Sequence, residues 1–286
     1  MAYRIVTDTG CDFPQQMYGE KGLTVVPLIV NYKGKEYNSY TEQWLKEIYA
    51  GLRAGEVATT AAVNPEGWAA AIEPILAEGE DVLVLVFTSG LSTTYQSAVI
   101  AATELMEKYP GRTVNVVDTL CASLGQGLFV HYATQKRDEG MSLQELTDWC
   151  EKTKLQLCHW VTVDDLMYLK RGGRISATTA LVGTMLQVKP IIHVDDEGKL
   201  INVGKARGRK GSIDVLVKKM QETALPGQND LAYICHGDCI EDANYLAQRI
   251  KERCGVKEVF IGYTGAVIGS HSGPGTLALF FLGSQR

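Results

Sequence analysis

A run of six apolar residues, 82–87, constrains the fold of this chain more than any other feature. We read Asp81 to Phe87 as a strand that is apolar on both faces, which is typical of the covered centre of a parallel sheet. Thr113 to Val117 has the same character. Each strand is followed by a helical pattern, over Ser92 to Lys108 and over Cys121 to Glu139. This alternation predicts an α/β fold with a parallel sheet.

Two more strands are predicted in the first half, over Tyr3 to Thr7 and over Thr24 to Val30, with Pro27 marking the second as an edge strand. Asp12 is predicted to cap the helix between them. In parallel sheets, ligands bind beyond the carboxyl ends of the strands. Hydroxyl or acidic residues occupy four such ends, at 7–10, 59–60, 88–92 and 118–119. We therefore expect a ligand site along this edge.

The second half has a different pattern, in which antiparallel pairing enters. The predicted strands are 157–163, 190–194, 199–203, 231–235 and 256–261, with a hairpin turn at 195–198 and helices over 213–220 and 240–253. The predicted fold is thus α/β with two domains: an N-terminal Rossmann-like domain (1–157) with a parallel sheet, and a C-terminal α+β domain (158–286) with a mixed sheet. A cleft between closely packed domains is a common ligand site.

The composition narrows the function classes. The 286 residues carry a formal charge of −5, so there is no global positive field to attract nucleic acid or an anionic membrane. No apolar run approaches the roughly 20 residues that span a bilayer, and the first residues lack the apolar core of a secretory signal. Seven scattered cysteines fit a reducing compartment better than a disulfide framework. We expect a cytoplasmic protein.

Cys235 and Cys239 flank His236 in a CxxxC arrangement. This spacing allows two or three metal ligands, but no second ligand pair lies nearby in the sequence. Buried free thiols are the simpler interpretation, and we expect no metal.

Three further motifs carry groups that could bind an anion. At 88–97, Ser92 lies where a strand end leads into a helix, so it could donate to a ligand or simply cap the helix. At 170–176, two cations surround a glycine pair, which could equally be a helix end and a turn. At 262–275, a loop with five glycines surrounds His271. Since all three motifs fit the same kind of ligand, we favour a shared anion site.

These motifs together resemble the DegV family from one end of the chain to the other. The residues that carry the resemblance are 7–12 (TDTGCD), 89–98 (SGLSTTYQSA), 118–119 (DT) with 123–125 (SLG), 169–175 (LKRGGRI) and 268–275 (IGSHSGPG). The last two are the most specific. The resemblance implies a two-domain fatty-acid-binding protein, without catalytic activity of its own, that serves as the carrier subunit of a bacterial fatty acid kinase. The expected partners are a long-chain fatty acid and the kinase subunit that makes the acyl phosphate, with no other cofactor.

The resemblance also implies which residues bind the ligand. The carboxylate ligands would be Thr60, Ser92 and His271, with Arg174 beside them; at the first position Thr59 is the alternative. The residues expected to support these loops are Asp8, Ser89, Gly90, Thr93, Gly172, Gly173 and Gly273. We expect the acyl tail to run into the apolar packing of the first domain, with the headgroup near the domain cleft.

Two alternatives involve the same residues or the surface. Ser92 and His271 could be the nucleophile and base of a serine hydrolase acting on acyl esters, although no G-x-S-x-G elbow surrounds Ser92. The basic cluster Lys205, Arg207, Arg209 and Lys210 is either a solvated face or a docking patch for an acidic surface of the kinase.

Overall fold

The computed structural model describes residues 2–39, 41–176 and 187–286. The strands are β1 (Tyr3–Asp8), β2 (Leu23–Val26), β3 (Ile29–Tyr32), β4 (Lys35–Tyr37), β5 (Ala58–Ala61), β6 (Asp81–Val86), β7 (Val114–Asp118), β8 (Leu157–Thr162), β9 (Val188–Val194), β10 (Leu200–Arg207), β11 (Leu231–His236), β12 (Glu258–Tyr263) and β13 (Leu277–Leu282). The helices are α1 (Gln15–Glu20), α2 (Glu42–Arg53), α3 (Pro65–Ala77), α4 (Thr94–Lys108), α5 (Leu124–Asp138), α6 (Leu143–Thr153), α7 (Met167–Arg171), α8 (Gly208–Thr223), α9 (Ile240–Cys254) and α10 (Ala266–Ser272).

The N-terminal half contains the predicted parallel sheet, with strand order β2-β1-β6-β7. Every residue of the central strand β6 is buried, because helices cover both of its faces. α3 and α4 pack on one side, and α5 and α6 on the other. The α/β class predicted from this strand is therefore confirmed.

The single strand predicted over 24–30 was wrong, because Pro27 divides it. β2 pairs with β1 in the parallel sheet, whereas β3 turns away into a small antiparallel sheet of order β4-β3-β5. Proline has no backbone N–H to donate, so the chain leaves one sheet at this residue and joins the other. This turn brings β5, which carries Thr60, next to the second half of the molecule.

The C-terminal half forms a six-stranded mixed sheet of order β10-β9-β8-β13-β11-β12. β11 and β12 are parallel, and the other neighbours are antiparallel. α8 and α9 cover its outer face. The predicted mixed sheet is thus confirmed, and β8, at residue 157, is its first strand.

The two halves share part of their interior. Helix α5 packs against β8, β11 and β13 of the mixed sheet, and its buried side chains lie in one apolar cluster with residues of both sheets, such as Leu85 and Phe280. In the other direction, Ala266 and Val267 of α10 join the core of the N-terminal half. Neither half therefore buries its apolar surface alone. Among the described helices, none combines the length and apolar character needed to cross a bilayer.

Candidate ligand-binding site

A cavity of about 490 Å³ lies between the two halves. Its floor is the inner face of the mixed sheet, where Ile192, Val161, Ala278 and Cys235 are successive cross-strand neighbours on β9, β8, β13 and β11. Three strand spacings of about 4.8 Å make this row roughly 14 Å long. The cavity is therefore elongated across the strands, which suits a chain-like ligand.

The apolar surface of the cavity comes mainly from the second half, whereas we expected the tail to run into the first domain. The apolar floor residues are Val161, Val163, Ile192, Val194, Leu200, Ala278 and Phe280. The first half contributes fewer apolar residues, among them Leu28, Phe87 and Leu91. The physical reason is packing, because the helices on both faces of the parallel sheet, α5 among them, already cover its apolar residues.

Polar groups gather on the cavity wall where β5 meets α10. Thr60 Oγ1 and His271 Nε2 are hydrogen-bonded at 2.7 Å. Arg174 donates from Nε to the carbonyl oxygen of Leu91 at 3.2 Å and from Nη1 to the carbonyl oxygen of Gly172. The first contact joins β5 to α10, and Arg174 is bonded to the loop that carries Ser92. All four line the same cavity.

The electrostatics of this wall favour an anion. Burial, and then the nearby Arg174 guanidinium, lower the pKa of His271 to about 4, so its imidazole is neutral at pH 7. Burial also lowers the pKa of Arg174, although a guanidinium stays charged in proteins. Within the described part of the chain, Arg174 bonds only to carbonyl oxygens and has no carboxylate partner. A half-buried positive charge without a counter-ion attracts an anionic group.

Ser92 fits both interpretations of its motif. Its Oγ lies 2.8 Å from Thr94 Oγ1 and accepts the N–H of Thr94, the first residue of α4, at 3.3 Å. Ser92 and Thr93 also line the cavity. The hydroxyl therefore satisfies a free N–H of the helix terminus and is available to a ligand at the same point.

The two adjacent threonines of β5 differ in position. Thr60 is partly buried, lines the main cavity and bonds to His271, whereas Thr59 is exposed and does not line that cavity. Successive strand residues point to opposite sides, so only one of the two can face His271. The structure brings Thr60 to this site.

Gly172 permits the position of His271. A Cβ atom at residue 172 would lie 2.3 Å from His271 Nδ1, much closer than any real contact. Gly273 follows α10 with φ +80°, and a Cβ there would overlap the ring of Tyr168. Gly173 has φ +71° but open space around it. The first two glycines are thus required by close contacts, and Gly173 by its backbone conformation alone.

Three other predicted supporting residues hold the loops. Ser89 lines the cavity, and its N–H donates to Asp118 Oδ1 at 3.2 Å. A Cβ at Gly90 would lie 2.5 Å from the carbonyl oxygen of Gly198, so the loop packs directly on the β9–β10 turn. Asp8 does not line the cavity. It accepts from the N–H groups of Gly10 and Phe87, and burial raises its pKa to about 6.

Asp12 does not cap α1, contrary to our prediction. It adopts a left-handed conformation (φ 53°), and its Oδ2 accepts from Ser123 Oγ at 2.5 Å, which ties the first loop to the start of α5. α1 begins at Gln15 after Pro14, without a side-chain cap. Asp12 therefore supports Ser123, which lines the cavity.

Neither His159 nor Cys235, the polar residues of the cavity floor, was predicted from the sequence to line a ligand site. His159 Nε2 accepts the N–H of Ala122 at 3.1 Å, so its proton is on Nδ1, which donates to the Leu157 carbonyl at 3.0 Å. Burial lowers its pKa well below the usual value. The period-two alternation of β8 would have placed His159 on the face of Val161.

The residues of the CxxxC segment lie in different places, since Cys235 lines the cavity and His236 and Cys239 do not. Cys235 faces the cavity and accepts from Thr264 Oγ1 at 3.1 Å, whereas His236 Nδ1 accepts the N–H of Cys239 at 3.3 Å. Across residues 2–39, 41–176 and 187–286, no group of three or more His, Cys, Asp or Glu side chains is placed to hold a metal ion.

The hydrolase alternative lacks its contacts in the described residues. His271 Nε2 bonds to Thr60 and not to Ser92, and Nδ1 packs against Gly172 where an orienting carboxylate would be needed. Asp118, an acid at the end of β7, accepts from the N–H groups of Ser89 and Leu120 instead. A pKa near 4 also makes His271 a weak base at pH 7.

The basic cluster spans the end of β10 and the start of α8. Lys205, Arg207 and Lys210 are exposed. The side chain of Arg209 is only 18% exposed, and its Nε donates to Asp242 Oδ2 at 2.8 Å. Arg209 thus joins α8 to α9 and is not part of the free surface.

The fold and the site define a two-domain α/β protein that encloses an elongated, largely apolar cavity, one wall of which carries Thr60, Arg174 and His271. Comparisons with known proteins name its family. A family model described as an uncharacterised protein of the DegV family matches residues 2–284, and the chain belongs to this family. A DegV domain-containing protein of Clostridium perfringens is 43% identical, covering 99% of this chain and 98% of its own.

Solved structures of the same family have the same fold. A DegV family protein from Thermus thermophilus, described by its fatty acid binding, is 36% identical with a TM-score of 0.87, covering 98% of this chain and 99% of its own. DegV from Bacillus subtilis, described as a fatty acid binding protein, is 27% identical with a TM-score of 0.81, covering 98% of each chain. The resemblance to the DegV family is therefore confirmed.

Proposed function

We propose that this protein binds a long-chain fatty acid in the cavity and presents its carboxylate to a separate ATP-dependent fatty acid kinase. The observation that carries the proposal is the wall formed by the Thr60–His271 pair and by Arg174, which has no carboxylate partner among the described residues, directly beside an apolar floor. The fatty acid binding described for the relatives supports it. The carboxylate ligands would be Thr60, Ser92, Arg174 and His271.

The energetics require both parts of the cavity. Burial of about 14 methylenes at ~0.8 kcal/mol each gives on the order of 11 kcal/mol before the costs of association. Removing a carboxylate from water costs several kcal/mol unless hydrogen bonds and a positive charge replace the water. The hydroxyls of Thr60 and Ser92 can donate to the carboxylate, and Arg174 balances its charge.

The chemical step would be carried out by the kinase. A carboxylate oxygen forms a bond to the γ-phosphorus of ATP, the bond from that phosphorus to the β–γ bridging oxygen breaks, and ADP leaves. This chain would hold the carboxylate ionised and oriented, because the Arg174 guanidinium favours the charged form and the hydroxyls of Thr60 and Ser92 can donate to it. The sequence has no G-x-x-x-x-G-K-[ST] loop to bind ATP itself.

Lipid extraction of the purified protein followed by mass spectrometry tests the first part. We expect a long-chain fatty acid to co-purify, or added palmitate to bind in a calorimetric titration. Hexadecanol, which has the same tail and no carboxylate, is the matched control and should bind at least tenfold more weakly. Protein that is free of lipid and binds no added fatty acid would contradict the proposal.

Charge reversal of the basic cluster tests the second part. Arg207→Glu with Lys210→Glu should slow acyl phosphate formation in an assay reconstituted with the kinase, because an acidic docking surface would be repelled. Lys218→Glu is the matched control: it lies on α8, about 12 Å from residue 210, and is 71% exposed. Equal rates for all three proteins would rule out docking at this cluster, and lost palmitate binding would assign it to the fold.

A further inference from the structure

A second, smaller cavity of about 230 Å³ adjoins the first. The two share Thr60, Arg174 and His271 as a common wall. The remaining lining comes from the end of α2, the segment that leads into β5, the end of α7 and α10: Leu52, Glu56, Val57, Ala58, Thr59, Arg171, Gly172 and Ser270. Three of the four proposed carboxylate ligands therefore lie between an apolar cavity on one side and a more polar one on the other.

The charges in the second cavity favour an anion larger than a carboxylate. Arg171 is exposed, and its guanidinium lies over the Tyr168 ring at 4.8 Å. It has no hydrogen-bond or ion-pair partner among residues 2–39, 41–176 and 187–286, so its donors can bind a ligand. Arg174 supplies a second guanidinium from the common wall. The one acid in the lining, Glu56, is already paired with Lys33 at 3.1 Å and bonded to the Tyr32 hydroxyl. The described lining thus offers two guanidinium groups to a ligand.

We propose that the second cavity receives the phosphoryl group of an acyl phosphate, the product of the proposed function on which this inference rests. The phosphorus is bonded directly to an oxygen of the carboxylate. Because the common wall binds that carboxylate, the phosphoryl group must lie next to the wall. The apolar floor of the first cavity does not suit a phosphate dianion, whereas Arg171 and Arg174 can bind it with charge-assisted hydrogen bonds. Arg171 would then distinguish the phosphorylated ligand from the free fatty acid.

The probe for the test is 2-oxoheptadecylphosphonate, the stable analogue of palmitoyl phosphate in which CH₂ replaces the bridging oxygen. Calorimetric titrations compare it with palmitate in four proteins: wild type, Arg171→Gln, Thr59→Phe and Lys170→Gln. Thr59 lines only the second cavity, so a phenylalanine there fills that cavity and suits a strand. Lys170 is the matched control, because it neighbours Arg171 on α7 and lines neither cavity.

We expect Arg171→Gln and Thr59→Phe to weaken phosphonate binding at least tenfold while palmitate affinity stays within twofold, and Lys170→Gln to change neither. If both variants bind the phosphonate as tightly as wild type, the second-cavity proposal is overturned while palmitate binding stands. Equal losses for both ligands would also overturn it, since Arg171 would then serve the carboxylate. Wild-type protein that binds no palmitate would instead contradict the proposed function.

Discussion

The two large sheets contribute to the same cavity through different parts of their structure. The parallel sheet contributes the loop beyond the carboxyl end of β6, with Ser89 and Ser92, and the small sheet beside it contributes Thr60. The mixed sheet contributes its open face, on which Val161, Ala278 and their neighbours form the floor. The apolar floor thus comes from the second half, whereas both halves supply polar groups: Thr60 and Ser92 from the first, and Arg174 and His271 from the second.

The difference has a physical origin. Loops at strand ends and helix starts leave hydroxyls and backbone N–H groups free to bind a ligand, whereas a sheet face presents only alternate side chains with its backbone fully bonded. A ligand with a charged head and an apolar tail needs both kinds of surface. Changes on the floor should therefore affect chain length, and changes on the wall should affect headgroup recognition.

The largest expected effect comes from filling the floor. Ala278→Trp places a large side chain in the middle of the cross-strand row, and we expect palmitate affinity to fall at least 100-fold because the tail loses its space. Calorimetric titration measures the loss, and a circular dichroism melt checks the fold. Unchanged palmitate binding by the folded variant would show that the tail lies elsewhere.

Removing one hydroxyl from the wall should have a smaller effect. Thr60→Val keeps the shape of the side chain and removes a hydrogen bond to a charged group, worth about 1.5–3 kcal/mol, so palmitate should bind roughly ten- to 100-fold more weakly. Thr59→Val is the matched control on the same strand and should stay within twofold. Affinity for hexadecanol should be nearly the same in both variants, because no carboxylate is involved. Equal effects of the two substitutions on palmitate would refute the assignment of Thr60.

The glycine pair separates effects on the site from effects on the backbone. Gly172→Ala forces His271 away from the new Cβ, and we expect palmitate affinity to fall several-fold. Gly173→Ala meets open space but keeps a positive φ, so it should lower the free energy of unfolding by about 1 kcal/mol and leave affinity unchanged. Denaturant unfolding and titration of both variants distinguish the two cases. A Gly172→Ala protein with full affinity would show that His271 is not needed where it lies.

A final expected effect concerns pH. Burial raises the pKa of Asp12 to about 7, against about 3.8 when unfolded, so between these values the folded state holds a proton that the unfolded state has lost. The free energy of unfolding must then fall as pH rises from about 4 to 7. Asp12→Asn removes this contribution, so its stability relative to wild type should rise by on the order of 1 kcal/mol or more across that window. Denaturant unfolding at pH 5 and 8 measures it, and a constant difference would contradict the raised pKa.

The sequence predicted the wall better than the floor, for physical reasons. Ser92 and His271 lie in local patterns that a linear sequence displays, a helix start and a glycine-rich segment. The prediction of a loop at 262–275 was wrong, because residues 266–272 form α10. Both faces of β8 are covered by other parts of the protein. Trp160 on the outer face and Val161 on the floor are therefore both apolar, and the sequence does not show which face lines a ligand site. Likewise, the partner of Arg209 lies 33 residues away on another helix, beyond what a run of cations can reveal.

The shared interior of the two halves determines how a lipid could enter. α5 packs between both sheets, and α10 packs in the core of the opposite half. A hinge motion that separated the two halves would therefore expose much of their buried apolar surface. The lipid should therefore enter and leave when short segments over the inner face of the mixed sheet open transiently. The lipid-bound protein should then resist proteolysis at those segments more than the lipid-free protein.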